Sequence, residues 1–148
     1  MSLVRECEML ECIPLFNNVD LSKRKLVAMS SDRMTFGPGE IVVREGDPSD
    51  AVYVMLAGAV RVVKQDDNRA LELAQLRGGA VFGETGVVCG RKRSATIMAI
   101  EETEMLRIDA RVFMELLEQV PQFALALTRE LADRVETVNK RLLDQSAA

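Results

Sequence analysis

From about residue 33 to residue 109 the apolar positions recur at every second residue. Examples are Glu40-Ile41-Val42-Val43-Arg44, Ala51-Val52-Tyr53-Val54-Met55-Leu56 and Ala59-Val60-Arg61-Val62-Val63-Lys64. Successive side chains of a strand point to opposite faces, so this period predicts strands. Gly37-Pro38-Gly39, Gly46-Asp47-Pro48, Gly58, Asp66-Asp67-Asn68 and Gly78-Gly79 punctuate them. Glycine supplies positive φ at such points, and proline or Asp/Asn starts the bend. Further strands are predicted over 70–77, 95–100 and 103–108. Many short strands at this spacing predict an antiparallel sandwich or small barrel, not a parallel sheet with crossover helices.

The flanks follow a helical period instead. Leu21 to Met29 reads as a helix with Asp20 as its cap, and Val112 to Leu117 as another after Asp109. Pro121 suits the first turn of a last helix, where its missing N–H has no partner to lose, and the pattern runs on to about Leu143. No internal repeat, low-complexity tract or linker interrupts the chain. The expected fold class is therefore α+β: a β-roll over about 33–109 between N-terminal helices and C-terminal helices over about 110–143. A length of 148 residues fits one domain spanning 1–148.

Composition narrows the chemistry. Nineteen Lys and Arg against 23 Asp and Glu leave a net charge of −4, so direct contact with nucleic acid is not expected. The chain has no histidine, which removes Ser/His and Cys/His nucleophile pairs and imidazole-ligated metals. A cupin-like metalloenzyme is the enzyme-class rival, and it relies on those ligands. The three cysteines, Cys7, Cys12 and Cys89, fall short of the four thiolates of an iron–sulfur centre and fit a reducing cytoplasm. Cys89 is expected as a small apolar filler, and Cys7 and Cys12 as packing for an N-terminal helix. Met29, Met55, Met98, Met105 and Met114 fall on apolar-phase positions and are expected as core filler, not copper ligands. No apolar run long enough to span a membrane and no leader pattern is present, so a cytoplasmic location is expected.

Residues 78–96 read Gly-Gly-Ala-Val-Phe-Gly-Glu-Thr-Gly-Val-Val-Cys-Gly-Arg-Lys-Arg-Ser-Ala-Thr. Gly78 to Thr85 nearly spells a P-loop, but Glu84 stands where a phosphate-binding lysine is required. A dinucleotide fingerprint fails too, because no strand-helix-strand unit surrounds the glycines. What remains is a glycine turn with free backbone N–H groups, one carboxylate at Glu84 and one guanidinium at Arg93. This inventory suits a ligand with one negative charge and a nearby hydroxyl: Arg93 would hold the anion and Glu84 would accept the hydroxyl proton. A ribose 3′,5′-cyclic phosphate has both features, since only its 2′-hydroxyl is free.

Phe82-Gly83-Glu84, a short helix, and Arg93-Ser94-Ala95 resemble the phosphate-binding cassette of the cyclic-nucleotide-binding domains found in the catabolite activator protein, kinase regulatory subunits and gated channels. Ile13-Pro14-Leu15-Phe16, Glu45-Gly46-Asp47-Pro48, Gly58, and Phe113 with Leu116-Leu117 extend the likeness over residues 13–143. The resemblance implies a jelly-roll-like, double-stranded β-helix and a non-enzymatic sensor. It also implies roles: Glu84 on the ribose 2′-hydroxyl, Arg93 on the cyclic phosphate, and backbone N–H groups near Gly83, Ser94 and Ala95 completing the cradle. The implied ligand set is Phe82, Gly83, Glu84, Thr85, Arg93, Ser94 and Ala95, joined from the last helix by Arg134, Thr137, Val138 and Asn139. There Arg134 would pair with Glu84, and Thr137 or Asn139 would meet adenine. Thr85 and Lys92 depart from the family pattern, which usually has a long aliphatic residue and a proline at those positions.

Cyclic AMP is the expected ligand, with cyclic GMP compatible through Ser94. Ala124, Leu131 and Val138 recur every seven residues, as do Thr128, Val135 and Leu142, which predicts a coiled-coil seam for a homodimer. The same stripe would serve an intramolecular lid packed on the β-roll, and Leu127 widens it enough for both. A ligand-free interaction module is the alternative to the sensor. In related transcription regulators a winged helix would begin near Gln145, so no DNA-binding domain is expected within this chain.

Overall fold

The computed structural model describes residues 3–147; Met1, Ser2 and Ala148, the ends of the expected 1–148 unit, lie outside the described residues. Two helices, α1 (Leu3–Glu11) and α2 (Leu21–Ser30), lead into the strands. These are β1 (Ser31–Phe36), β2 (Ile41–Val43), β3 (Ala51–Ala57), β4 (Ala59–Asp66), β5 (Arg69–Arg77) and β6 (Val81–Phe82). The short α3 (Glu84–Cys89) separates them from β7 (Thr96–Ala99) and β8 (Thr103–Asp109), and α4 (Ala110–Gln119) and α5 (Pro121–Ala147) complete the chain.

All strand pairs are antiparallel and form two four-stranded sheets, ordered β1-β8-β3-β6 and β2-β7-β4-β5. Strand β3 carries the alternation that organises both layers. Ala51, Tyr53 and Met55 face inward and pack with Phe36, Val60, Phe82, Ile97 and Met105 between the sheets. Val52 and Val54, with Leu106 and Ile108 of β8, face outward and are covered by Phe16, Phe113 and Phe123 from the helical layer. The three rings meet at 5.2 Å (Phe16–Phe123) and 5.4 Å (Phe113–Phe123), so Phe123 ties the start of α5 to the N-terminal segment and to α4.

The turns follow the expected chemistry. Asp67 and Asn68 both hold positive φ, 46° and 66°, as a two-residue hairpin between β4 and β5 demands. At Gly58, φ is 97° and an added Cβ would lie 2.5 Å from both the Glu102 carbonyl oxygen and the buried Thr103 hydroxyl, so only glycine fits. Asp109 caps α4, its carboxylate accepting from Arg111 N at 2.9 Å, whereas Asp20 makes no side-chain bond to α2.

Three expectations of burial are corrected. Met29 is 70% exposed, because α2 turns that side away from the sheet; Met55 and Met105 are fully buried as expected. Cys12 is exposed just past the end of α1, and only Cys7 packs inward. Cys89 is exposed in the last turn of α3, which touches the roll through its other face. Beyond Leu131, α5 leaves the body of the protein, and Val135, Val138, Leu142 and Leu143 are 53–70% exposed. Phe123→Ala should lower stability by about 3–5 kcal/mol, because it empties the junction of three aromatic rings. Urea denaturation checks this, with a shifted midpoint at unchanged slope expected.

Candidate functional site

The chain arrives at the site through β6 and turns sharply at Gly83, whose φ is 87°. A Cβ there would strike Arg93 Nη1 and stand 3.2 Å from the Ala51 carbonyl oxygen, so glycine is required both for the turn and for the guanidinium behind it. Helix α3 then runs for six residues and stops at Gly90, φ 65°, whose N–H folds back on the last turn. Arg91 N donates to Gly86 O at 2.9 Å, which sends residues 91–95 back along the turn between β2 and β3. Arg93 N donates to Asp47 O at 2.8 Å and Gly46 N donates to Arg93 O at 2.9 Å.

This double clasp buries the Arg93 side chain, leaving the residue 6% exposed. Its Nη2 donates to Ala51 O at 2.6 Å and its Nη1 to Gly83 O at 3.4 Å. Asp50 Oδ1 lies 3.6 Å away, and the Tyr53 ring, stacked on Phe82 at 5.1 Å, sits 5.8 Å from the guanidinium carbon. Asp50 is itself 66% exposed and is shared with Arg107 at 3.3 Å, so the carboxylate facing the buried guanidinium is a solvated one. Burial alone would lower the Arg107 pKa; bonds to Tyr53 and the charge of Asp50 more than offset it and raise it. Arg93 Nε is buried with no partner among the described residues.

Glu84, at the start of α3, is 2% exposed and is met by Arg134 of α5 in a direct ion pair. Arg134 also donates to Glu130 at 2.9 Å and approaches Val81 O at 3.4 Å. Burial lowers the Arg134 pKa, but the charge of Glu84 and its hydrogen bond, with Glu130 in support, outweigh it and leave the guanidinium above its ordinary range. This pair is the fixed link between the long helix and the roll at the site.

Between Arg93 and Glu84 opens a cavity of about 370 Å³. One wall is polar, built from Ser49, residues 83–86, residues 91–95 and Arg134; the other is apolar, built from Val43, Val62, Leu76 and Ile97. Arg91, Lys92, Thr85 and Ser94 stand exposed at its rim, and the Ser94 carbonyl accepts from Lys64 Nζ at 3.0 Å. Such an arrangement can hold an anion on one side and a flat apolar group on the other. Phe82, Gly83, Glu84, Thr85, Arg93, Ser94, Ala95 and Arg134 all line it. Thr137, Val138 and Asn139 do not: they are exposed on the departing half of α5, and the Thr137 hydroxyl bonds back to Asp133 O at 2.9 Å. Sequence reasoning missed Ser49 and Asp50. Its signal was the Gly46-Asp47-Pro48 turn, but nothing local says that this turn docks on a residue more than 40 positions away.

The family model for the cyclic nucleotide-binding domain matches residues 33–120, more than half of the chain. The chain belongs to this family. Among curated relatives, it is 28% identical over 139 residues to a cAMP-dependent protein kinase regulatory subunit of Dictyostelium discoideum, covering 91% of this chain and 40% of that protein. It is 30% identical over 98 residues to a lysophospholipase of Neurospora crassa, covering 66% of this chain and 6% of that protein. The chain thus spans less than half the length of these two relatives. Among solved structures, the Thermus thermophilus catabolite activator protein superposes with a TM-score of 0.79 at 28% identity, covering 90% of this chain and 63% of that one. The cyclic nucleotide-binding domain of this chain therefore has the β-roll and long C-terminal helix seen in that neighbour. Among the described residues, no group of three acidic or thiol side chains is placed to hold a metal ion, and no helix is long and apolar enough to cross a membrane.

Gly83→Ala should cost at least about 1–3 kcal/mol through forced positive φ, and should evict the Arg93 guanidinium from its socket. Chemical denaturation gives the first effect; the Arg93 Nε–H resonance, expected to move to a solvent-exposed position, gives the second.

Proposed function

We propose that this cyclic nucleotide-binding domain is a non-catalytic sensor of cyclic AMP. The observation that carries the reading is a buried, incompletely satisfied guanidinium and a buried carboxylate set on one wall of a cavity whose other wall is apolar. Arg93 with the amides near Gly83, Ser94 and Ala95 takes the single phosphodiester charge, Glu84 takes the ribose 2′-hydroxyl, and the base lies against Val62, Leu76 and Ile97. The likeness to a kinase regulatory subunit whose name specifies cAMP supports the choice of nucleotide. The unit acts as one domain, in the cytoplasm. Its net charge of −4 supports a small-molecule partner, with no direct contact to nucleic acid.

Signal leaves through α5. Glu84 is engaged by Arg134, so a ribose hydroxyl at Glu84 shares the carboxylate that holds the helix. Binding biases helix position only to the extent that the two positions offer different contacts. The proximal half of α5 is committed to its own domain through Phe123 and Leu127, 0% and 4% exposed. The distal half carries Val135, Val138 and Leu142 to solvent at heptad spacing, which supports a homodimer seam there. In that arrangement Asn139 flanks the seam beside Val138.

Calorimetric titration tests the reading. Cyclic AMP should bind, and Arg93→Ala should weaken it by about 2–5 kcal/mol while leaving a folded protein; no binding by the nucleotide-stripped wild type would refute the assignment. In competition, cyclic GMP binding tenfold tighter or more would reverse the choice of base. For the seam, the wild type should sediment as a dimer and Val135→Lys as a monomer, since a buried lysine without a partner is strongly unfavourable. A monomeric wild type, with and without nucleotide, would instead make α5 an intramolecular lid.

A further inference from the structure

Two buried polar atoms on the polar wall have no partner among the described residues: Arg93 Nε and Ser49 Oγ. Buried hydroxyls are ordinarily satisfied, so an unpaired one on a cavity wall is open to a group that enters the cavity. Ser49 lies in the turn that clasps Arg93, between Asp47, whose carbonyl receives Arg93 N, and Asp50, which faces the guanidinium. Across from it, a Cβ added to Gly86 would fall on Ser49 Oγ, so the hydroxyl rests directly over the first turn of α3, two residues past Glu84. The serine is thus wedged between the guanidinium loop and the short helix, on the wall of the same cavity.

We propose that Ser49 is a ligand-binding residue, donating its hydroxyl to a non-bridging oxygen of the cyclic phosphate. This rests on the reading of the cavity as a cyclic-nucleotide site and adds a residue to it. The chemistry favours it for a specific reason. Glu84 and the Arg93 Nη atoms already spend part of their capacity on Arg134, Ala51 O and Gly83 O, so a ligand shares them with those partners. Ser49 Oγ has no bond to lose, and a serine side chain passes between staggered wells within its own site, so its bond to a phosphate oxygen is gained in full. A hydroxyl donating to a charged oxygen makes one of the stronger hydrogen bonds.

The proposal predicts opposite signs for stability and affinity in Ser49→Ala. Without ligand the variant should be at least as stable as wild type, because an unsatisfied buried hydroxyl is removed. Its affinity for cyclic AMP should fall about tenfold. The two diastereomers of adenosine 3′,5′-cyclic phosphorothioate locate the contact, because sulfur accepts a hydrogen bond poorly. The variant should lose about tenfold against one diastereomer and almost nothing against the other, whose sulfur already replaces the oxygen that Ser49 would meet. Unchanged affinity for cyclic AMP, equal losses for both diastereomers, or a less stable ligand-free variant would each overturn the proposal. Failure of wild type to bind any of the three nucleotides would instead remove the reading on which it rests.

Discussion

A guanidinium buried inside a β-roll is the constraint around which this domain is arranged. Removing a charge from water is costly unless it is paired and hydrogen-bonded. Arg93 has one solvated carboxylate, Asp50, at 3.6 Å and two backbone carbonyls, which engage its Nη atoms and leave Nε open. Those partners come from different parts of the chain: the turn after β2, the first residue of β3, and the left-handed glycine after β6. The double clasp between residues 46–47 and Arg93 fixes the backbone of the loop, and the bonds to Ala51 O and Gly83 O hold the side chain inward. A pre-positioned but under-satisfied cation is what an anion site requires, since a ligand gains most from a donor whose ordering cost the fold has already met.

The second carboxylate link extends this logic to the long helix. Glu84 is almost fully buried and its charge is met by Arg134, a residue 50 positions away on an element otherwise held by aromatic packing at its start. Removing one partner of a buried pair leaves the other uncompensated, so whatever occupies Glu84 has leverage on α5. The helix therefore has two regimes. Its first turns are anchored by Phe123 and Leu127, while the turns beyond Leu131 carry an apolar stripe with no covering surface among the described residues. The polar tether at Arg134 stands at the boundary between them.

Much of this was legible in the sequence, and the remainder was not for identifiable reasons. The strands could be read because the period of two in Ala51 to Met55 serves two cores at once, and because positive-φ turns need glycine, Asp or Asn. The two-residue β6 could not, since Val81-Phe82 is too short to show a period. The pairing of Glu84 with Arg134 was implied by the resemblance to the cyclic-nucleotide-binding family, and the structure contains it. Met29, Cys12 and Cys89 were misjudged because an apolar-phase position on a short helix does not reveal which face is covered. Thr137, Val138 and Asn139 are exposed because α5 leaves the roll after Leu131, a point that a continuous heptad pattern conceals. Ser49 and Asp50 were invisible because their significance depends on a long-range clasp, and no local rule reports it.

The central claim is that the Arg93 socket and the start of α3 form the binding surface for a cyclic phosphate. A nitrogen–proton NMR titration with cyclic AMP, following backbone amides and arginine Nε–H groups together, tests it most directly. The account predicts the largest shifts at Gly83 to Gly86, at Ser94 and Ala95, and at the Arg93 Nε–H, with smaller ones along α5 near Arg134. Saturating shifts confined to another face, or none at millimolar nucleotide, would contradict it.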